Sequence, residues 1–247
     1  MTRVKICGVR DVETAVEAAK AGADFIGVVF AESRRKVTPQ ECHDIVEAVR
    51  AARHTPPPAE FEAPRAGEVR GDGWFGAWND AIEQALARWR PLIVGVFAGM
   101  DAAEVNDIAD AAGLDLVQLS GGERGDTVRA IERPVIRTLH VGPETSGDDL
   151  LEMAGSIASA ALMLDTASPA AHGGTGETFD WDVAAAACAR LPFMLAGGLT
   201  PENVARAVTQ ASPWAVDGSS GLETDGAKDI AKVRAFIRAA KGVRVGR

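Results

Sequence analysis

Short runs of consecutive apolar residues recur along the chain, separated by longer stretches in which apolar positions return every three or four residues. The runs lie at about 4–7, 24–30, 92–97, 115–119, 135–139, 161–165, 193–196 and 214–217. They show no alternation of apolar and polar positions, which predicts strands buried on both faces, as in a parallel sheet. The intervening stretches carry helical spacing. In 11–22, Val12, Ala15, Val16 and Ala19 share a face and Gly22 supplies a stop. Thr38-Pro39 opens a helix running to about residue 50, with Pro at its first position. Further helices are expected at 102–112, 126–131, 147–158, 181–189, 201–208 and 228–240. Strand and helix thus alternate through eight units, which predicts an α/β fold of the (β/α)8 barrel type, a single domain over 1–247, at about the usual size of ~250 residues. A doubly wound open sheet fits less well, because no early glycine-rich dinucleotide fingerprint is present.

One stretch, at about 53–90, breaks the alternation. Pro56-Pro57-Pro58 and the segment GDGWFGAW predict irregular chain, and 79–89 an added amphipathic helix. This peripheral insertion follows the second helix and precedes the third strand. It should therefore emerge at the amino-terminal ends of the strands, opposite the end where barrel chemistry sits. Trp74, Phe75, Trp78 and Trp89 predict either a patch packed on the barrel or a self-association surface, hence a homodimer. An internal echo supports the repeating architecture: Ala21-Gly22-Ala23-Asp24 and Ala112-Gly113-Leu114-Asp115 each join a helix to a buried strand.

Charge narrows the partners. With 26 Lys and Arg against 35 Asp and Glu the net charge is −9, which argues against a nucleic-acid surface and against an anionic membrane. No apolar run is long enough to cross a bilayer, and the charged amino terminus does not read as a signal peptide. The three scattered cysteines, Cys7, Cys42 and Cys188, predict a reduced, cytoplasmic setting. The four histidines show no metal-ligand spacing. His172 alone lies near the candidate site; His43, His54 and His140 read as surface residues.

In a barrel, the last residue of each strand and the loop after it carry the chemistry. Those positions give Cys7, Arg34 and Arg35, Gln118 to Ser120, Asp165, Gly197-Gly198, and Asp217-Gly218-Ser219-Ser220. Asp165 ends a strand and is followed by Gly173-Gly174-Thr175-Gly176 ahead of a helix start, so an acid and an anion cradle stand side by side. Gly197-Gly198 and Ser219-Ser220 follow strands seven and eight, where barrels recurrently bind phosphate. Cys7 reads either as a small core residue or, with a nearby cation, as a proton acceptor; Lys5 shares its interior face one layer deeper. Arg34 and Arg35 could fork onto a carboxylate.

The ordered series Lys5-Ile6-Cys7-Gly8, Ser33-Arg34-Arg35, Val117-Gln118-Leu119, Leu164-Asp165, GGTG-x-TFDW, AGGL-x-PENV and Asp217-x-Ser-Ser-Gly-x-Glu resembles the phosphoribosylanthranilate isomerase family of tryptophan biosynthesis. The resemblance covers nearly the whole chain apart from the insertion. It implies a small phosphoribosyl substrate, isomerised by an Amadori rearrangement without metal or cofactor. By the same resemblance, Asp165 would be the general acid and Cys7 the general base. Arg35 would hold the anthranilate carboxylate. Gly174, Thr175, Gly176, Gly197, Gly198, Asp217, Ser219 and Ser220 would bind the remainder, chiefly the phosphate. Two motifs depart from the family pattern. Gln-Leu-His-Gly-Asp-Glu reads here Gln118-Leu119-Ser120-Gly121-Gly122-Glu123, and Ser-Pro-Arg reads Ser33-Arg34-Arg35. These changes leave two other readings: a paralogue acting on another phosphoribosyl aldosylamine, or a non-catalytic phosphometabolite-binding barrel.

Overall fold

The computed structural model describes residues 1–53, 61–62, 72–166 and 180–243. Eight parallel strands close into a barrel in sequence order: β1 (Arg3–Cys7), β2 (Phe25–Val29), β3 (Leu92–Phe97), β4 (Leu116–Leu119), β5 (Val135–Val141), β6 (Ala161–Thr166), β7 (Phe193–Leu195) and β8 (Ala215–Gly218). Closure is made by β8 pairing on β1, with Lys5 beside Asp217. The helices are α1 (Val12–Ala21), α2 (Pro39–Arg53), α3 (Asp72–Arg88), α4 (Ala102–Ala112), α5 (Gly125–Ala130), α6 (Gly147–Ser156), α7 (Trp181–Cys188), α8 (Val204–Ala211) and α9 (Ile230–Gly242). Among the described residues no helix is long and apolar enough to cross a membrane.

The apolar runs lack alternation because each strand feeds two cores. Ile6, Ile26, Ile93 and Val117 pack outward against the helices. Phe25, Leu92, Val94, Leu116, Ile136, Met163, Met194 and Ala215 fill the barrel interior. Further along the strands the inward positions turn polar: Lys5, Gln118, Thr138 and Asp217 are all buried. The interior is thus an apolar column with a polar layer above it.

The sequence echo has a structural counterpart. Gly22 and Gly113 cap α1 and α4 in left-handed conformation, and the aspartate two residues later accepts a hydrogen bond from the preceding strand. Asp24 Oδ2 takes the N–H of Val4 at 2.9 Å, and Asp115 Oδ2 takes that of Ile93 at 2.7 Å.

The region between α2 and β3 differs from expectation. Helix α3 begins at Asp72, so 73–78 is helical and not irregular as its glycines predicted. Burial overrides the cost of helical glycine. Phe75, Trp78, Ala81, Ile82, Ala85 and Leu86 line one buried stripe, and Ile82, Ala85 and Leu86 join the cluster inside the barrel. Among the described residues, the side-chain hydrogen bonds of this helix run to the amino-terminal ends of strands. Glu83 pairs with Arg3 and accepts from Trp214 Nε1 at 2.8 Å, while Trp74 Nε1 donates to the Ser159 carbonyl at 2.8 Å. The helix is therefore the floor of the barrel, facing away from the carboxyl ends as expected. Its buried face is integral to the core, and Trp74, Phe75 and Trp78 pack there.

Candidate active site

A cavity of about 130 Å³ opens at the carboxyl ends of the strands. It gathers most of the residues picked from the sequence: Cys7, Arg35, Asp165, Gly197, Gly198, Asp217, Ser219 and Ser220 all line it. Gly174, Thr175 and Gly176, with His172, lie outside the described residues. Around the rim, the acid on β6 and the thiol on β1 are separated by the loops after β7 and β8. Val29, Ala31 and Val96 form an apolar wall against Cys7.

Beneath the thiol lies a buried ion pair. Lys5 has no exposed surface, and its Nζ donates to Asp217 Oδ1 at 3.1 Å. Burial works against the Lys5 ammonium, but Asp217 and then Cys7 outweigh it and raise its proton affinity above that of an ordinary lysine. For Cys7 the balance is reversed. Burial, the largest influence, pushes the thiol up, and the pull of Lys5 in the other direction does not offset it. The cation expected from the sequence is therefore present, yet the thiol holds its proton more tightly than a free cysteine does. Room for the pair comes from Gly27 in the middle of β2. A Cβ there would stand 3.0 Å from both Cys7 Sγ and Lys5 Nζ. Sequence reasoning passed over Gly27, although a glycine inside an apolar strand signals close approach of a neighbour.

Asp165 is partly buried at the end of β6, and its Oδ1 accepts the Thr166 N–H at 2.8 Å. Burial, followed by the nearby Asp217 charge, raises its carboxyl above the usual range, while His140 and the Thr166 N–H pull the other way. Gly197, at φ +83°, makes space for it: a Cβ would meet Thr166 Oγ1 at 2.2 Å and Asp165 Oδ1 at 3.1 Å.

Arg35 enters from the loop after β2 and is tied to Glu223. Its Nε donates to Oε1 at 2.6 Å and its Nη2 to Oε2 at 3.2 Å. Glu223 opens a two-stranded hairpin after the barrel, β9 (Glu223–Thr224) with β10 (Ala227–Lys228), and Lys228 Nζ also binds it at 2.9 Å. Arg34 Nη2 adds a further contact at 2.5 Å. Burial alone would raise the Glu223 carboxyl, but hydrogen bonds from Arg35 and Lys228 hold it at about 2. Lys228 also donates to the Ser219 carbonyl at 3.1 Å, joining the arginine anchor to the loop after β8. The hairpin was not foreseen, because its two-residue strands fall below any periodicity signal.

The β4–β5 side of the rim is an uncharged network. Gln118 Nε2 donates to Ser120 Oγ at 3.0 Å, and Ser120 Oγ lies 3.0 Å from Thr138 Oγ1. His140, expected on the outer surface, lines the cavity instead, with Nε2 3.0 Å from the Ser120 carbonyl oxygen. It is solvent-exposed, but the solvent it meets is that of the pocket mouth.

Comparison with known proteins places this geometry. Residues 77–239 match the family model for N-(5'phosphoribosyl)anthranilate (PRA) isomerase, a match that begins inside α3. The chain is 37% identical over 246 residues to the N-(5'-phosphoribosyl)anthranilate isomerase of Dehalococcoides mccartyi, covering 98% of this chain and 96% of that one. It is 39% identical over 257 residues to the multifunctional tryptophan biosynthesis protein of Phycomyces blakesleeanus, where 98% of this chain spans 33% of the relative. Among solved structures, a phosphoribosyl anthranilate isomerase in complex with reduced 1-(o-carboxyphenylamino)-1-deoxyribulose 5-phosphate superposes with a TM-score of 0.70. Sequence identity to it is 28%, over 98% of this chain and all of that one.

Proposed function

The chain belongs to the N-(5'-phosphoribosyl)anthranilate isomerase family, and from that premise we propose how its pocket divides the work. The reaction converts N-(5'-phosphoribosyl)anthranilate to 1-(o-carboxyphenylamino)-1-deoxyribulose 5-phosphate, an isomerisation in tryptophan biosynthesis. The substrate phosphate rests on the loops after β7 and β8, against Gly197, Gly198, Ser219 and Ser220. That seat puts the ribose between Asp165 and Cys7. The anthranilate ring then runs along Val29, Ala31 and Val96 toward Arg35. Glu223 occupies Nε and Nη2 of that guanidinium, which leaves Nη1 for the substrate carboxylate.

Asp165, whose carboxyl burial lifts above the usual range, donates a proton to the ribose ring oxygen as the C1–O bond breaks. The electron pair of the anilino nitrogen forms the C=N bond of the ring-opened Schiff base. Cys7 then removes the proton from C2, and the C–H electrons flow to the iminium nitrogen to give an enolamine, which tautomerises to the ketone. Lys5 stabilises the thiolate while it waits for that proton. Substrate nitrogen serves as the electron sink throughout.

The observation that carries this reading is the placement of an acid and a cation-backed thiol on two strands flanking the phosphate loops. It is tested by the decay of anthranilate-type fluorescence with freshly made substrate. Asp165→Asn and Cys7→Ala should each abolish most turnover with an unchanged thermal midpoint. Near-normal turnover in either variant would remove that residue from its role.

A further inference from the structure

His140 is the one histidine of the described residues that lines the cavity. Its position is set by sheet register. β5 and β6 pair as far as Val141 and Thr166, which puts His140 directly beside Asp165. Equivalent positions of adjacent parallel strands face the same way, and both side chains line the same pocket. The ring is also fixed from its other side. A carbonyl oxygen cannot donate, so the 3.0 Å contact with Ser120 means that Nε2 carries a hydrogen. From this place His140 draws the proton affinity of the Asp165 carboxyl down, against the effect of burial.

The groups around Asp165 explain why such a neighbour is useful. Among the described residues, Asp217 on β8 adds negative charge, Lys5 on β1 lies deeper and is already paired with Asp217, and Gly197 approaches from the loop after β7. From β4, Gln118 and Ser120 are uncharged. A buried carboxyl beside another carboxylate keeps its proton well but gives it up poorly. A general acid works best when its proton affinity lies near the working pH.

We propose that His140, hung on the Ser120 carbonyl and in register with Asp165, is a positioning residue that makes the Asp165 carboxyl a competent proton donor. The proposal rests on Asp165 being the acid. His140 stands on the strand next to Ser120, at the uncharged β4 side of the rim. The same side of the pocket is thus supplied with an imidazole from β5.

The test is the pH dependence of kcat for His140→Asn and His140→Lys, with a direct titration of the Asp165 carboxyl by 13C NMR on aspartate-labelled protein. The resonance is assigned by its loss in Asp165→Asn. In His140→Asn, kcat at neutral pH should fall about tenfold. The limb on which the acid deprotonates, and the carboxyl titration, should both move to higher pH. His140→Lys should restore both toward the parent values, because it returns a cation. An unmoved titration and limb in a folded His140→Asn protein would overturn the proposal, as would a raised KM with unchanged kcat, which would make His140 a substrate ligand. If Asp165→Asn were active, the acid assignment itself would fall, a result separate from either of these.

Discussion

Lys5 and Asp217 stand 212 positions apart in the chain and meet across the β1–β8 seam with 3.1 Å between Nζ and Oδ1, directly below the thiol of Cys7. The seam that closes the barrel is also the floor of its active site. A buried pair of this kind is costly to break from one side, because the remaining charge is left without compensation. Lys5→Met should therefore lower stability by about 3 kcal/mol and reduce kcat about a hundredfold through loss of the cation that supports the thiolate. Chemical denaturation and steady-state kinetics on Lys5→Met and on Lys5→Met/Asp217→Asn would check both effects. The double variant should recover much of the stability and none of the rate.

Both proton-transfer groups hold protons longer than their isolated counterparts, Cys7 and Asp165 alike. Turnover that needs the thiolate rises with pH through the raised value of the thiol. Turnover that needs the protonated acid falls only as pH passes the raised value of the carboxyl. The bell of kcat against pH is therefore displaced to the alkaline side. A profile whose limbs lay at the ordinary values of a free thiol and a free carboxyl would contradict the assignment.

At Gly27 a methyl group would press on Cys7 and Lys5 together. Gly27→Ala should cost about 1–3 kcal/mol, as overpacking does. It should also depress kcat far more than KM, since the atoms displaced are those of the base and its cation. A thermal melt and a kcat/KM measurement separate this outcome from simple unfolding.

Glu223 gathers Arg35, Arg34 and Lys228 on one carboxylate. Its folded value of about 2 lies below the ~4.3 of an unfolded chain. The stability it contributes is thus fully present above about pH 4.5 and lost as pH falls toward 2. Glu223→Gln should be less stable than the parent by about 2 kcal/mol at neutral pH, and the two denaturation curves should converge as pH approaches 2. Its KM should rise as well, because Arg35 loses its support.

Leu86 of α3 is buried inside the barrel at the end opposite the site. Leu86→Ala should lower stability by about 2–5 kcal/mol while kcat and KM at 25 °C stay within a factor of two. A large kinetic effect would show that the floor and the rim are coupled.

Much of this architecture was readable from the sequence, for a definite reason. Strands of a parallel barrel are apolar on both faces, so the runs ending at Cys7, Leu119 and Asp165 stand out, and a polar residue that ends such a run is conspicuous. The failures share a different cause. Helix α3 was shortened because Gly73 and Gly76 are poor helix formers, whereas its formation is driven by burial of Phe75, Trp78 and Ile82 against residues distant in sequence. His140 reads as a surface residue because its exposure is real; only the closure of the barrel turns that exposure into a pocket wall. Lys228 and Glu223 acquire meaning through Arg35, almost two hundred positions away. The proposed phosphate contacts at Gly174, Thr175 and Gly176 rest on sequence alone.

Helix α3 does more than finish the hydrophobic core. With Ile82, Ala85 and Leu86 packed at the lower end of the barrel, the ion pair of Lys5 and Asp217 sits above an apolar column. Among the described residues, the cavity that reaches Cys7 and Asp165 opens at the carboxyl ends, where the substrate would enter. A bound sugar phosphate is therefore also a stopper, and occupancy of the site decides how freely its own catalytic groups exchange with bulk solvent.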